Sequence, residues 1–300
     1  MDNFLLPPAT RLQHVRLRVA DADRALTFYR DLLGFGQRPA AEATLYLAAP
    51  DADHWQVALV VHPGARPKPW RTAGLYHVAI LLPSRRDLAR VVHRLLSHGW
   101  PLDGASDHGV SEALYLRDPD RNGLELYADR PREHWPFRQG ELAMVTVPLD
   151  LEGLLATLGP VPPPWTGLPP GTRVGHVHLQ VSDLRRAEAF YCGLLGFVPT
   201  QRSYPGALFV AIDGYHHHVG LNVWAGEGVP PAPPDAAGLI AFGLRLPDRS
   251  TWEQLARRLE RAGLSLETPP ADQPGIGLLV RDPDGIGVEL WGPAADLGDG

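Results

Sequence analysis

The chain has 300 residues, of which 44% are hydrophobic and 21% charged, an ordinary composition for one large or two medium globular domains. Its formal charge is −6, and its 28 basic residues are scattered through both halves, which argues against a nucleic-acid partner. No apolar run approaches the ~20 residues of a membrane span, and the start, MDNFLLPPAT, lacks the basic and apolar regions of a signal peptide, so the expected compartment is the cytoplasm. The single cysteine, Cys192, excludes an intramolecular disulfide framework and a cysteine-rich zinc site. Any metal would be held by imidazole and carboxylate.

Taken in chain order, the predicted elements repeat. RLQHVRLRVADADRALTFYRDLLGF, from Arg11, reads as an alternating strand, a turn and an amphipathic helix. A second unit opens at Gly74 with GLYHVAILLPSRRDLARVVHRLLSHG and closes on YLRDPDRNGLELY, a D-P-D turn followed by an apolar strand. The stretch 128–171 contains EGLLATLG and VPPPWTGLPPG, predicting one helix and an extended linker. RVGHVHLQVSDLRRAEAFYCGLLGF, from Arg173, matches the first unit at H-V-x-L-x-V-x-D, at A-x-x-F-Y and at L-L-G-F; Asp183 is the predicted helix cap and Gly196 the stop. Strand fragments ALFVAI and HHVGLNVW follow. The fourth unit runs from GLIAFGLRLPDRSTWEQLARRLERAG, at Gly238, to LVRDPDGIGVELW. Each of the four units, of about 55 residues, reads as β-α-β-β-β.

Four such modules with H-V and D-P-D-x-x-G-x-E-L signatures resemble the vicinal oxygen chelate superfamily of glyoxalase I, fosfomycin and bleomycin resistance proteins, and extradiol dioxygenases. The match spans about Thr10 to Trp291, and four modules in one chain is the layout of the type I extradiol catechol 2,3-dioxygenases. The resemblance implies an α+β fold in which modules pair into two cupped sheets. Modules one and two would occupy 10–128, a linker with a short helix 129–171, and modules three and four 172–292.

In this superfamily the first strands of two modules and the last strand of one hold a metal. The first-strand positions here are His14, His77, His176 and Phe242, and the last-strand carboxylates are Glu125 and Glu289, so module four carries a phenylalanine where a ligand is required. Two complete sets remain: His14, His77 and Glu125, or His176, His77 and Glu125. Extradiol dioxygenases place an acid/base histidine just before the last strand of the module that gives the first ligand. HHHVGL occupies that place in module three, with His217 matching by count, whereas strand alternation groups His216 and His218 with Asn222. Module one offers Trp55 there, with His54 one residue off. Modules two and three are therefore the expected working pair, in reverse of the usual order along the chain, with modules one and four as a degenerate scaffold. SDHGVSEALYLRDPDRNGLELY further resembles the extradiol segment whose histidine and tyrosine line the substrate pocket, here His108 and Tyr115.

The resemblance implies a ring-cleaving dioxygenase acting on a catechol-type diol and O2, with Fe(II) as cofactor and Mn(II) as the other candidate ion. Two neutral imidazoles and one carboxylate leave coordination positions open for a chelating diol and O2, and a histidine with an ordinary pKa near 6.5 can take and return a substrate proton near neutrality. His178, two residues from His176, shares its strand face and is a candidate pocket residue. A metal-dependent glyoxalase-like lyase or isomerase, and a metal-free resistance-type binding protein, are the alternatives. A homo-oligomer is compatible with the composition.

Overall fold

The computed structural model describes residues 4–39 and 43–294. Module one comprises β1 (Arg11–Val19), α1 (Ala22–Leu26), β2 (Gly36–Arg38), β3 (Thr44–Ala48) and β4 (Val57–Val61). Module two comprises β5 (Gly74–Leu81), α2 (Arg85–Ser97), β6 (Leu102–Asp107), β7 (Ser111–Arg117) and β8 (Gly123–Asp129). The connecting segment holds the short strands β9 (Phe137–Arg138), β10 (Glu141–Leu142) and β11 (Val147–Pro148), then α3 (Leu151–Ala156). Module three follows with β12 (Arg173–Gln180), α4 (Leu184–Glu188), β13 (Val198–Gln201), β14 (Ala207–Ala211) and β15 (Val219–Asn222). Module four has β16 (Gly238–Arg245), α5 (Arg249–Arg261), β17 (Ile276–Arg281) and β18 (Gly287–Gly292).

Local chemistry sets these elements. Asp21, Ser84, Asp183 and Asp248 each precede a helix, with extended backbone and a side chain accepting a backbone N–H of its first turn. α1 and α4 each run on into a π-turn, Thr27–Leu32 and Ala189–Leu194, which buries the aromatic pairs Phe28–Tyr29 and Phe190–Tyr191. Gly196 ends the second of these at φ 89°, and a Cβ there would stand 2.9 Å from the Phe4 carbonyl, so only glycine both adopts the backbone and fits.

The sheets pair modules out of chain order. β5 and β12 lie side by side at the centre of a nine-stranded sheet, β11-β6-β7-β8-β5-β12-β15-β14-β13, built from modules two and three. Modules one and four form the seven-stranded sheet β17-β18-β16-β1-β4-β3-β2 around β1 and β16. Both are the cupped sheets expected from the sequence. Consecutive modules are tied across the two sheets instead. The Tyr29 hydroxyl donates to Asp118 in the D-P-D turn of module two, and Tyr191 to Asp282 in that of module four, each at 2.9 Å. Both carboxyls are buried and pushed up to about 6, while they accept the backbone N–H groups that close their turns. Among the described residues no helix is long and apolar enough to cross a membrane.

Candidate active site

Strand register assembles the site. β8 runs parallel to β5 with Glu125 beside Ala79, and β12 runs antiparallel with His176 beside the same Ala79. β7 sets Tyr115 on the far side of Glu125. One row across four strands thus reads Tyr115, Glu125, Ala79, His176. Strand alternation brings His77, two residues before Ala79, to the same face. Ala79 has only a methyl group, so the side chains around it close over an open space.

In that space His77 Nε2 lies 3.0 Å and His176 Nε2 3.1 Å from the same Glu125 oxygen, and all three residues are buried. Together they are a group whose ligand atoms fall within 4.8 Å of one another. Burial opposes charge on Glu125, but the two histidines outweigh it and hold the carboxyl well below its ordinary range. Burial lowers His176 to about 4, so its imidazole is neutral at pH 7.

A divalent metal fits this donor set. His77 Nε2 is buried without a hydrogen-bond partner although a carboxylate oxygen stands beside it, which is costly unless a cation takes the lone pair. The two nitrogen–oxygen separations match the edge of an octahedron whose metal–ligand bonds are about 2.1 Å. Neutral imidazole plus carboxylate is the ligand chemistry of a borderline or hard divalent ion.

His77 and Glu125 of the trio open on a cavity of about 730 Å³, in the size range of small-molecule sites, walled by Tyr76, Val110, Tyr204, Phe209 and Trp224. His178, Tyr115, His108 and His217 also line it. His108 Nδ1 donates to the Val145 carbonyl at 2.7 Å, so its Nε2 accepts the Tyr115 hydroxyl proton at 2.5 Å. Burial and the neighbouring Glu125 push the Tyr115 hydroxyl well above its ordinary range, keeping it a neutral donor. The His217 ring packs 4.0 Å from that of His176, and burial, with the histidines around it acting in the same direction, lowers its pKa well below 6.5.

The three consecutive histidines go to three places. His217 faces this cavity, His216 is wholly buried behind it, and His218 lines a separate cavity on the other side while its Nδ1 accepts the Ile212 N–H. Cys192, half-buried, has its thiol pushed up to about 12 and takes no part in the site.

The seven-stranded sheet holds a filled-in counterpart. There the equivalent row is Leu279, Glu289, Gly243, His14. The position matching His77 is Ala241, which faces Arg16 as His77 faces His178. The expectation that Phe242 stands at the ligand position is therefore off by one: strand alternation turns Phe242 to the opposite face, where it is buried and stacks on Tyr191. His14 is consequently not part of the His77 and Glu125 site. It bonds Glu289 at 2.9 Å, and Trp55 packs 4.4 Å from its ring, as His217 packs on His176. Where the other sheet has room for an ion, the Arg16 guanidinium holds Glu289 and, through two further bonds, Asp272.

A family model described as the Glyoxalase/Bleomycin resistance protein/Dioxygenase superfamily matches residues 11–126 and 173–290. The chain belongs to this superfamily. It is 44% identical over 262 residues to the catechol-2,3-dioxygenase of Bacillus subtilis (strain 168), covering 86% of this chain and 90% of that protein. Two solved structures share the fold. One, from Bacillus subtilis subsp. subtilis str. 168, covers 94% of this chain and 86% of its own, with a TM-score of 0.65 at 13% identity. Glyoxalase I from Zea mays covers 95% and 92%, with a TM-score of 0.58 at 18% identity.

Sequence reasoning passed over Ala79, whose smallness opens the site, and Arg16, which closes the counterpart. It also missed Tyr127 and Asp129. Period-two alternation from Glu125 was the signal that puts both on the same strand face.

Proposed function

We propose that this chain is an extradiol dioxygenase that opens the ring of a catechol-type diol with O2, using Fe(II), or else Mn(II), held by His77, Glu125 and His176. The observation that carries this reading is the convergence of two imidazoles and one buried carboxylate beside a cavity that also presents His217 and the His108–Tyr115 pair. The 44% identity to a protein named catechol-2,3-dioxygenase supports it.

When bound, the metal supplies a meeting point for the diol oxygens and O2 and takes up part of the diol's negative charge. The protein does the rest. The aromatic wall of Tyr76, Phe209 and Trp224 holds the ring and keeps water away. Neutral His217 accepts a hydroxyl proton of the diol and returns it later in turnover. The Tyr115 hydroxyl, whose one proton is held by His108 Nε2 in this structure, turns it to an oxygen of the substrate when the diol is bound. In the overall reaction the carbon–carbon bond beside the diol breaks and both atoms of O2 enter the product.

The test is to load the protein with Fe(II) without oxygen, then follow oxygen uptake on adding a panel of catechols. Uptake with a yellow product supports the reading, and tight diol binding with no uptake overturns it. His217→Phe should keep its iron while turnover falls about 100-fold or more; unchanged turnover removes the role given to His217.

A further inference from the structure

Behind His217 lies a chain of hydrogen bonds, buried at His216 and half-buried at Asp129, that the reaction as described does not use. His217 Nδ1 is 2.9 Å from His216 Nδ1, and His216 Nε2 is 3.0 Å from Asp129 Oδ1. The Tyr215 hydroxyl bonds both oxygens of Asp129, at 3.1 and 3.0 Å, and Tyr127 bonds Tyr215 at 2.8 Å. Asp129 ends β8 of module two, and the histidines precede β15 of module three, so the chain spans the two modules that form the site.

The direction of every bond follows from its one acceptor-only member. An ionised carboxylate cannot donate, so both His216 and Tyr215 must donate to Asp129. Tyr215 has then spent its proton, and Tyr127 donates to it. The contact between the two Nδ1 atoms needs one bare nitrogen; His216, with its proton on Nε2, supplies it and accepts the proton of His217 Nδ1. His217 is left with a bare Nε2.

We propose that Asp129, acting through His216, is a positioning residue that fixes the tautomer of His217 and so presents its unprotonated Nε2 as the base toward the cavity. This rests on the reading of His217 as the acid/base group. The counterpart sheet serves as an internal comparison. It has Trp55 where this one has His217, and there the chain is missing as well: Pro293 stands four residues after Glu289, and His54 bonds its neighbour Asp53. The device occurs where there is a histidine for it to orient.

Asp129→Asn tests this with almost no change of volume. With Tyr215 donating to the amide oxygen, the amide nitrogen must donate to His216 Nε2, which reverses the chain and places the proton of His217 on Nε2. Nitrogen-15 spectra of histidine-labelled full-length protein loaded with Zn(II), with the His217 signal identified by its loss in His217→Phe, read the tautomer without any turnover. The unaltered protein should show His217 protonated on Nδ1, and Asp129→Asn should show it protonated on Nε2. Protonation on Nε2 in the unaltered protein, or the same tautomer in both, overturns the proposal. In the Fe(II) enzyme, Asp129→Asn should lower kcat about 100-fold with KM and iron content within about twofold, and should lower it no further in the His217→Phe background. An equal further loss in that background would mean that Asp129 acts independently of His217. If no diol is opened but the tautomer switches, the assigned activity fails and the positioning stands.

Discussion

Replacing Arg16 with Met tests whether a guanidinium serves as the fixed cation of the seven-stranded sheet. Arg16 is 3% exposed and gives Glu289 hydrogen bonds of 2.5 and 3.2 Å and Asp272 bonds of 2.7 and 2.6 Å. Methionine keeps the aliphatic stem but leaves both carboxylates without their cation. Glu289, itself 1% exposed, retains only the His14 and Trp291 contacts, and burial lowers the pKa of His14, so that imidazole brings no charge. Stranding a buried carboxylate in this way costs about 3–5 kcal/mol. With unfolding entropy near 2.1 cal/mol/K per residue, a chain of 300 residues has about 0.6 kcal/mol/K, so Tm should fall by about 5–8 °C. Thermal melts followed by circular dichroism read this directly. Adding Glu289→Gln should restore part of the loss, and turnover at 25 °C should stay within about twofold, because the trio lies in the other sheet. A Tm within 1 °C of the unaltered protein would refute the reasoning.

Other outcomes follow from the same structure. Burial raises the Glu289 carboxyl, but hydrogen bonds from His14 and Arg16 outweigh it and bring it down to about 2, so its contribution of about 3 kcal/mol is complete above pH 4.5 and lost as pH falls toward 2. Urea midpoints between pH 2.5 and 5 should therefore fall less steeply in Glu289→Gln, and parallel slopes would contradict this. Gly123→Ala should unfold the protein or cost several kcal/mol, since the new Cβ would stand 2.0 Å from the Tyr76 carbonyl, where β8 meets β5; a melt unchanged from the parent would be inconsistent with that register. Glu125→Gln should leave the fold intact but lower Fe(II) stoichiometry and remove the rise in Tm that metal gives the unaltered protein, because a ligand that binds only the native state stabilises it.

Much of this architecture was legible because it is written in local signals. The helix caps Asp21, Ser84, Asp183 and Asp248 are side chains bonding their own backbone, and the recurrence of H-V in modules one, two and three and of D-P-D in modules two and four marks units that pair to build the sheets. His77, Glu125, His176, His108, Tyr115 and His217 could be picked out through family resemblance, and the structure gathers them: five line one cavity, and His176 is buried beside it against Glu125. What was not legible depends on contacts distant in sequence. Arg16 reads as a surface strand residue until Asp272 and Glu289, more than 250 residues away, fold onto it. Asp129 looks like a strand terminus until His216 arrives from the next module. Phe242 shows how a single-residue slip matters in a strand, since alternation moves a side chain to the opposite face.

The most direct test of the central claim is to supply the anaerobically Fe(II)-loaded protein with catechol and oxygen-18 gas, and to weigh the product alongside that of His176→Ala. The account expects a ring-opened product carrying two heavy oxygen atoms from the unaltered protein and none from the variant. An intact ring, a product with one labelled atom, or undiminished cleavage without His176 would contradict it.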